Sequence, residues 1–414
     1  MNRHMKRKTG KRKRQLQRKY FFRKLITTGA LVAAASLILF GGISLYKKIK
    51  EKVNTVSMVA DVSGENSGLN MEQADSLAAV KAAMARPTSF SPRCVESTKP
   101  SLYIESTAIE VDGQTLASIS DYSPKESLSF DAGTSYTDVD GIVTFRGNNF
   151  RDTASYGNTQ MKNGKIKDLW TAKTSSLTYG DATWSGSGWT GQPLMEKWPR
   201  EVKLSMNMYD WAKEKDDLVE VIYACMDGYV YFLDLETGEA TRDPLFLGFT
   251  FKGAGALDPR GYPILYVGAG YDSSQGTARV FVVNLLDCSV MYTFGNNDPF
   301  SLRGNLSYFD SSALVDAKTD TLIYPGENGI LYLIKLNTDY DKEAGTLSIA
   351  PDNIVKWHYY GTRTSVASYW LGMEDSAAIY DGYIFMSDNG GNLMCLDLNT
   401  LQLVWAQDIL DDSN

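Results

Sequence analysis

The stretch "YIFMSDNGGNLMCLDLNTLQLVW", residues 383–405, carries the pattern that decides the fold. Its alternating apolar residues predict a strand, Gly390 and Gly391 predict a tight turn, and a second strand follows. An Asp-Leu-x-Thr corner comes next, in which Asp and Thr side chains can bond the local backbone. A third strand then ends at Trp405. These residues therefore form a compact module of strands and turns.

The same module occurs three more times, as "VIYACMDGYVYFLDLETGE", "ARVFVVNLLDCSV" and "TLIYPGENGILYLIKLNT". Each copy has an apolar strand before it, such as "GQPLMEKW", and an outer strand after it, such as "IVKWHYY". Four strands every 50–60 residues are typical of one blade of a β-propeller. A β-helix would need shorter repeats, and a helical solenoid would show a 3.6-residue period, which is absent. The copies align, at spacings of 50, 51 and 62 residues, on Asp234, Asn284, Lys335 and Asp397.

These residues resemble the repeats of the PQQ-like, or quinoprotein-type, β-propellers. "DGYVYFLDLETGE" and "GGNLMCLDLNTLQLVW" are similar to the D-G-x-h-y-A-L-D-x-x-T-G-x-x-x-W ending of a blade in that family. "TFRGNNFRDTASYG", residues 144–157, resembles the F-R-G-x-x-x-R-T-G opening that precedes its first blade. Two copies depart from the pattern, because Lys335 replaces the Asp and the Asn284 copy lacks Thr-Gly. The resemblance covers roughly residues 141–409 and implies an all-β propeller of four-stranded blades.

The number of blades raises a question about the ring. "KIKDLWTAKT", residues 165–174, looks like an outer strand containing Trp170. In this family such a strand completes the last blade and closes the ring. Only four blades follow it here, whereas the family usually has six to eight. We therefore expect the four blades to be part of a larger ring that is incomplete at the C-terminus; the alternative is a closed four-bladed ring.

An uncharged stretch of 22 residues, "LITTGALVAAASLILFGGISLY", occupies residues 25–46. As a helix it would be about 33 Å long, which matches the ~30 Å hydrocarbon core of a bilayer. A cleaved signal peptide would have a shorter apolar core, followed by a small-residue cleavage site. The stretch predicts a transmembrane helix. Twelve cations before it and four soon after it predict a cytoplasmic N-terminus.

Charge separates a basic tail from an acidic body. The net charge is +15 up to residue 52 and −22 from residue 53 onward. An acidic body excludes nucleic acid as a partner. The predicted organisation is a basic cytoplasmic tail (1–24), a transmembrane helix (25–46), an extracytoplasmic stalk (47–100), a small β element or linker (101–140) and the propeller (141–414).

The sequence offers few groups for catalysis. The body has one histidine, His358, which argues against Ser-His-Asp and multi-His metal sites. It has no phosphate-binding loop, dinucleotide fingerprint, hydrolase elbow or H-E-x-x-H motif. In the family that this sequence resembles, the dehydrogenases bind PQQ together with calcium, and a disulfide between adjacent cysteines lies over the cofactor. No two cysteines are adjacent in this sequence. We therefore expect no catalytic residue, no metal ligand and no cofactor.

If the propeller has a binding site, geometry places it at the channel mouth, where the innermost strand of each blade begins. The mouth predicted in this way is aromatic and mostly acidic, which suits a cation, a sugar or a peptide. Its residues are Trp189, Gln192, Lys252, Asp310, Ser311, Glu374 and Asp375.

The sequence thus predicts a single-pass protein of the cell membrane whose extracytoplasmic propeller is a scaffold for a protein, peptide or sugar. The non-catalytic members of the resembling family present loops and edges to protein partners. The alternative function is that of a PQQ- and calcium-dependent oxidoreductase.

Overall fold

The computed structural model describes residues 91–130, 136–157, 166–188, 191–303, 306–361 and 371–409. All of them belong to one compact unit, Thr88–Asn414. Within these residues, no helix has the length and apolar character to cross a membrane. The predicted transmembrane helix at 25–46, the basic tail and most of the stalk lie outside the described residues.

The described part of the chain is all-β apart from a few short turns of helix. Single 3-10 turns occupy Glu96–Thr98, Pro100–Leu102 and Ile119–Asp121, and the α-helices are α1 (Arg200–Ser205) and α2 (Asp210–Glu214). The strands before the first blade are β1 (Ile104–Val111), β2 (Gln114–Thr115), β3 (Gly141–Ile142) and the hairpin of β4 (Ser176–Tyr179) and β5 (Ala182–Ser185).

Four antiparallel blades follow, each with the strand order of a propeller blade. Blade one contains β6 (Leu194–Glu196), β7 (Glu220–Ala224), β8 (Tyr229–Asp234) and β9 (Leu245–Phe246). Blade two contains β10 (Ala256–Leu257), β11 (Ile264–Gly268), β12 (Val280–Asn284) and β13 (Ser289–Phe294). Blade three contains β14 (Leu314–Asp316), β15 (Thr321–Pro325), β16 (Leu331–Lys335), the side hairpin of β17 (Asp339–Asp341) and β18 (Thr346–Ser348), and the outer strand β19 (Asp352–Gly361). Blade four contains β20 (Ala378–Tyr380), β21 (Tyr383–Ser387), β22 (Asn392–Asp397) and β23 (Leu403–Asp408).

The repeats predicted from the sequence are confirmed, because each aligned polar residue ends the third strand of its blade. The corner after it forms as expected: Asp397 Oδ1 accepts hydrogen bonds from the backbone N–H groups of Asn399 (3.0 Å) and Thr400 (2.8 Å). In blade three, where Lys335 replaces the Asp, a different hydrogen bond forms at the corner: Lys335 Nζ donates to the carbonyl oxygen of Thr319 at 2.7 Å.

The segment before the blades extends blade three. Strand β1 pairs antiparallel with β19, from Ile104 opposite Gly361 to Val111 opposite Val355, and β2 adds a sixth strand to this sheet. The β1–β2 turn has Asp112 and Gly113 at φ 49° and 82°, a conformation that the Asp-Gly pair predicts. The extra strands cover what would otherwise be the free edge of blade three.

Two hydrophobic clusters hold the blades together. One joins blades one and two to the near face of blade three, with Phe232, Val282 and Tyr324 among its buried members. The other joins the far face of blade three to blade four through residues such as Trp357 and Met386. Among the described residues, neither cluster connects blade four to blade one.

The prediction of an outer strand around Trp170 is wrong. The described residues of this segment, 166–174, form no strand. Trp170 lies instead on blade one, where its Nε1 donates to the carbonyl oxygen of Leu235 at 2.9 Å. Its indole also lies so close to Gly238 that a Cβ there would overlap it. The indole nitrogen thus donates its hydrogen bond to the corner of blade one, and the described residues of this segment do not pair with β23.

Candidate functional site

The predicted channel mouth contains six described residues, each just before the innermost strand of its blade, while Trp189 lies outside the described residues. Of the six, only Glu374 is exposed, and Asp310 and Ser311 are buried. Of the six, Lys252 of blade two and Asp310 of blade three contact each other.

Lys252 and Asp310 form an ion pair between blades two and three. Lys252 Nζ lies 2.7 Å from Asp310 Oδ2, and the side chains are only 11% and 5% exposed. The same ammonium group lies 5.3 Å from the centre of the Tyr308 ring. Gly253 permits this close approach, because a Cβ on it would overlap the carbonyl oxygen of Asp310. The pair therefore fixes one blade against the next.

Three carboxyl groups lie near one another at this end of the propeller: those of Asp310, Glu327 and Glu374. Burial raises the pKa of Asp310, Glu374 raises it further, and Lys252 opposes the shift. Glu374 Oε1 accepts a hydrogen bond of 3.0 Å from the side-chain amide of Asn389. Because like charges repel, protonation of at least one of these three carboxyl groups is favoured.

Glu327 holds that proton most strongly. Arg303 Nη1 lies 2.8 Å from Glu327 Oε1, and both side chains are almost fully buried. Burial nevertheless raises the pKa of Glu327 to about 8, with Glu374 adding to the shift and Arg303 opposing it. Desolvation and the neighbouring acid outweigh the single cation, so Glu327 is largely protonated at neutral pH.

Three other residues of the predicted mouth form hydrogen bonds within the chain. Asp375 Oδ2 accepts from the backbone N–H of Ser387 at 2.7 Å, and burial raises the pKa of Asp375 to about 6. The Ser311 hydroxyl donates to the carbonyl oxygen of Pro325. Gln192 Oε1 accepts from the backbone N–H of Arg146 at 3.0 Å. That these residues contact a ligand stays a prediction.

A segment before the blades runs along the inner strands of all four described blades. Strand β3 pairs with β6 of blade one, and the carbonyl oxygen of Val143 accepts from Leu257 of blade two at 2.6 Å. Thr144 Oγ1 donates to Ala313 of blade three at 2.8 Å. Asn149 exchanges hydrogen bonds with Ile379 of blade four. We call residues 141–151 the axial segment; it is bound to the innermost strand of every blade.

Glu327 and Asn389 interact with the predicted mouth residue Glu374, and the sequence analysis did not single them out. It considered only the starts of the inner strands. In an antiparallel blade, however, the turn between the second and third strands lies at the same end as the start of the first. Glu327 follows β15 and Asn389 follows β21, so both stand in such turns. A charged residue in this turn is therefore the signal that would have found Glu327.

No family model matches the chain. No curated protein matches it either. Among solved structures, it is similar to BamB from Moraxella catarrhalis, at 13% identity and a TM-score of 0.32, over 56% of this chain and 63% of that one. It is also similar to a europium-containing methanol dehydrogenase, at 13% identity and a TM-score of 0.35, over 66% of this chain and 59% of that one. It is similar as well to Sqt1 from Saccharomyces cerevisiae, at 12% identity and a TM-score of 0.32, over 47% of this chain and 46% of that one.

The chain thus spans less than two thirds of the length of each of these proteins. At such identities and scores, the likenesses carry no argument about activity, substrate or partner. The propeller arrangement follows from the strand pairing of the four blades.

Proposed function

We propose that this chain is a membrane-anchored, extracytoplasmic β-propeller that acts as a binding scaffold and has no catalytic role. The anchor is the uncharged stretch at 25–46, flanked by its asymmetric basic residues. The propeller is of the quinoprotein type, which its blade-ending corners at Asp234 and Asp397 support. Its partner is a protein, a peptide or a sugar outside the membrane.

The observation that carries the proposal is the axial segment. In a propeller enzyme the substrate and cofactor need space at the axis, where the inner strands converge. Here the buried residues Thr144, Asn149 and Arg151 hydrogen-bond to the beginnings of blades three and four, and so occupy space beside the inner strands. The surfaces left for binding are then loops and blade edges, which are the surfaces that a scaffold uses.

PQQ with calcium does not fit the residues of the predicted mouth. Calcium requires six to eight oxygen ligands. Asp310 is paired with Lys252, and Glu327 lies against Arg303 with its pKa raised to about 8, so neither offers an unpaired carboxylate for calcium. Within the described residues, no group of three or more His, Cys, Asp and Glu side chains has the geometry of a metal site.

We further propose that the four blades belong to a larger ring. Blades one and four both present half-exposed aromatic residues on the faces that point away from their packed neighbours, among them Tyr231, Phe385 and Trp405. Such faces are apolar because they normally pack against another blade.

A titration with PQQ in the presence of calcium tests the non-catalytic proposal. We expect no saturable change in absorbance or in melting temperature. Stoichiometric binding with micromolar affinity would overturn the proposal in favour of the oxidoreductase. A variant with Asp310→Asn and Glu327→Gln serves as the control, since it removes the acids that could assist calcium binding; its own melting temperature should likewise not shift when PQQ and calcium are added.

A further inference from the structure

A cavity lies at the opposite end of blades one and two from the predicted mouth. Glu196 ends β6, whereas Gln192 precedes that strand, so the two residues mark opposite ends of the inner strand. The cavity has a volume of about 590 Å³. This lies within the range of about 300–1,000 Å³ that is usual for small-molecule sites. We call it the Glu196 pocket; its wall includes Asp140, Glu196, Lys197, Arg260, Tyr262 and Tyr340.

Glu196 is the unusual group in this pocket. The residue is 1% exposed, and its Oε2 has no hydrogen-bond partner among the described residues. Buried polar groups in native proteins are nearly always hydrogen-bonded, so an exception needs an explanation. Because Glu196 lines the cavity, a bound molecule can supply the missing partner.

The neighbouring acids do not need such a partner, because each has its own cation. Glu220 lies 2.6 Å from Arg242 Nη2, and Asp258 lies 2.6 Å from Arg260 Nη2. Glu196 has no ion pair among the described residues. Burial, with Glu220 and Asp258 nearby, raises the pKa of Glu196 well above its ordinary value. This shift favours the protonated carboxyl group, and a protonated carboxyl group can both donate and accept a hydrogen bond.

Aromatic rings form the facing wall. The rings of Tyr262 and Tyr340 lie 5.0 Å apart at an angle of 55°. The guanidinium group of Arg260 covers Tyr262 at 4.4 Å. The hydroxyl group of Tyr340 is buried and also lacks a hydrogen-bond partner among the described residues. The pocket thus offers two unsatisfied groups that can each donate and accept, next to aromatic surface.

Two cations of the wall, Arg260 and Lys342, are paired with acids of the chain. Arg260 Nη1 lies 2.7 Å from Asp320 in addition to its contact with Asp258, and Lys342 pairs with Glu201 at 2.8 Å. The phenol of Tyr340, and Glu196 in its protonated form, favour hydroxyl groups over a charged ligand, because a hydroxyl group donates and accepts in the same way.

We propose that the Glu196 pocket binds a neutral sugar, with Glu196 and Tyr340 hydrogen-bonding to its hydroxyl groups and the tyrosine rings contacting its apolar face. This proposal names a ligand class and so rests on the proposed scaffold function. The site is separate from the predicted channel mouth and from the axial segment.

The test is saturation-transfer NMR on the full-length protein in detergent, with maltose, cellobiose, lactose and diacetylchitobiose as probes. We expect transfer to at least one disaccharide. Glu196→Leu should weaken its binding about tenfold or more, since the buried hydroxyl of the sugar loses its partner. Tyr340→Phe should weaken binding severalfold, and this variant keeps the proposal testable if Glu196→Leu does not fold. Tyr179→Phe, on an exposed tyrosine outside the pocket, is the matched control and should bind like the parent chain.

Glu196→Gln decides the ligand class. Glutamine donates and accepts like a neutral carboxyl group, so sugar binding should survive within a few fold. If spermidine binds the parent chain and Glu196→Gln abolishes that binding, the site takes an amine and the proposal is wrong. Absence of transfer to all four sugars, or sugar binding unchanged by Glu196→Leu, would also overturn it. These failures leave the scaffold function standing, because partner capture by the propeller does not depend on this pocket.

Discussion

Arg151 Nε donates a hydrogen bond of 3.0 Å to the carbonyl oxygen of Ala377, which links the axial segment to the beginning of blade four. Its Nη2 donates to Ser312 of blade three at 3.0 Å, and its Nη1 donates to Thr144 at 2.8 Å. The guanidinium group is buried and thus joins two blades to the segment that precedes the first. A residue far from both blades in sequence fixes their relative position.

Replacing Arg151 should therefore destabilise the whole propeller. Arg151→Lys cannot reach all of these acceptors and leaves buried carbonyl oxygens unpaired, so we expect a loss of about 3 kcal/mol in the free energy of unfolding. Urea unfolding of residues 88–414 measures it. The matched control is Arg146→Lys in the same segment, where the side chain is exposed and a change within about 0.5 kcal/mol is expected. Equal effects of the two substitutions would contradict the role of Arg151.

Glu327 makes stability depend on pH. Its pKa is raised from 4.5 to about 8, so between these values the folded state holds a proton that the unfolded state has lost. The contribution is present in full below pH 4.5 and is lost as the pH rises to about 8, at up to about 1.4 kcal/mol per pH unit. We expect Glu327→Gln to flatten the fall in unfolding free energy across this window. Glu105→Gln, at an exposed position, should leave the slope unchanged; a parent chain whose stability rises with pH here would contradict the assignment.

The ion pair at the channel mouth predicts a non-additive double substitution. Lys252→Met leaves the buried Asp310 facing no cation and should cost about 3 kcal/mol. Adding Asp310→Asn removes the isolated charge and should recover much of that loss. A double-mutant cycle by urea unfolding measures the coupling, and simple addition of the two single effects would show that the pair does not hold blades two and three together.

Two neighbours on β21 test which faces of blade four are packed. Met386 is fully buried against blade three, whereas Phe385 points the other way and is half-exposed. Met386→Ser should cost at least about 2 kcal/mol. Phe385→Ser should cost less than about 1 kcal/mol and should reduce self-association in sedimentation velocity, because it removes apolar surface from an open face. A Phe385→Ser variant that melts as low as Met386→Ser would mean that the outward face is packed.

The sequence predicted the blades well because their pattern is local. Alternating apolar residues, turn glycines and the corner at Asp397 all act within a few residues of one another, and the third strands end where the repeats predicted. Trp170 was misassigned because an aromatic residue between polar ones suits a strand and a loop alike. Only the tertiary contact with Leu235 decides between them.

The site was harder to predict than the fold. The sequence placed Lys252 and Asp310 at the same end of adjacent blades, and they do form a pair. Glu196 could not be singled out, because its importance comes from what it lacks: a partner in a buried position. Likewise, nothing in the spacing of "FRGNNFR" shows that Arg151 reaches blades three and four, since those contacts join residues more than 150 positions apart.

The most direct test of the central claim, an extracytoplasmic binding scaffold, is cross-linking on intact cells with a membrane-impermeant amine-reactive reagent. We expect the full-length chain of 45.9 kDa to form a discrete larger adduct. Mass spectrometry should map the cross-link to a lysine of the body and to one recurring partner. Adducts that appear only after the cells are lysed would place the body on the other side of the membrane and would contradict the account.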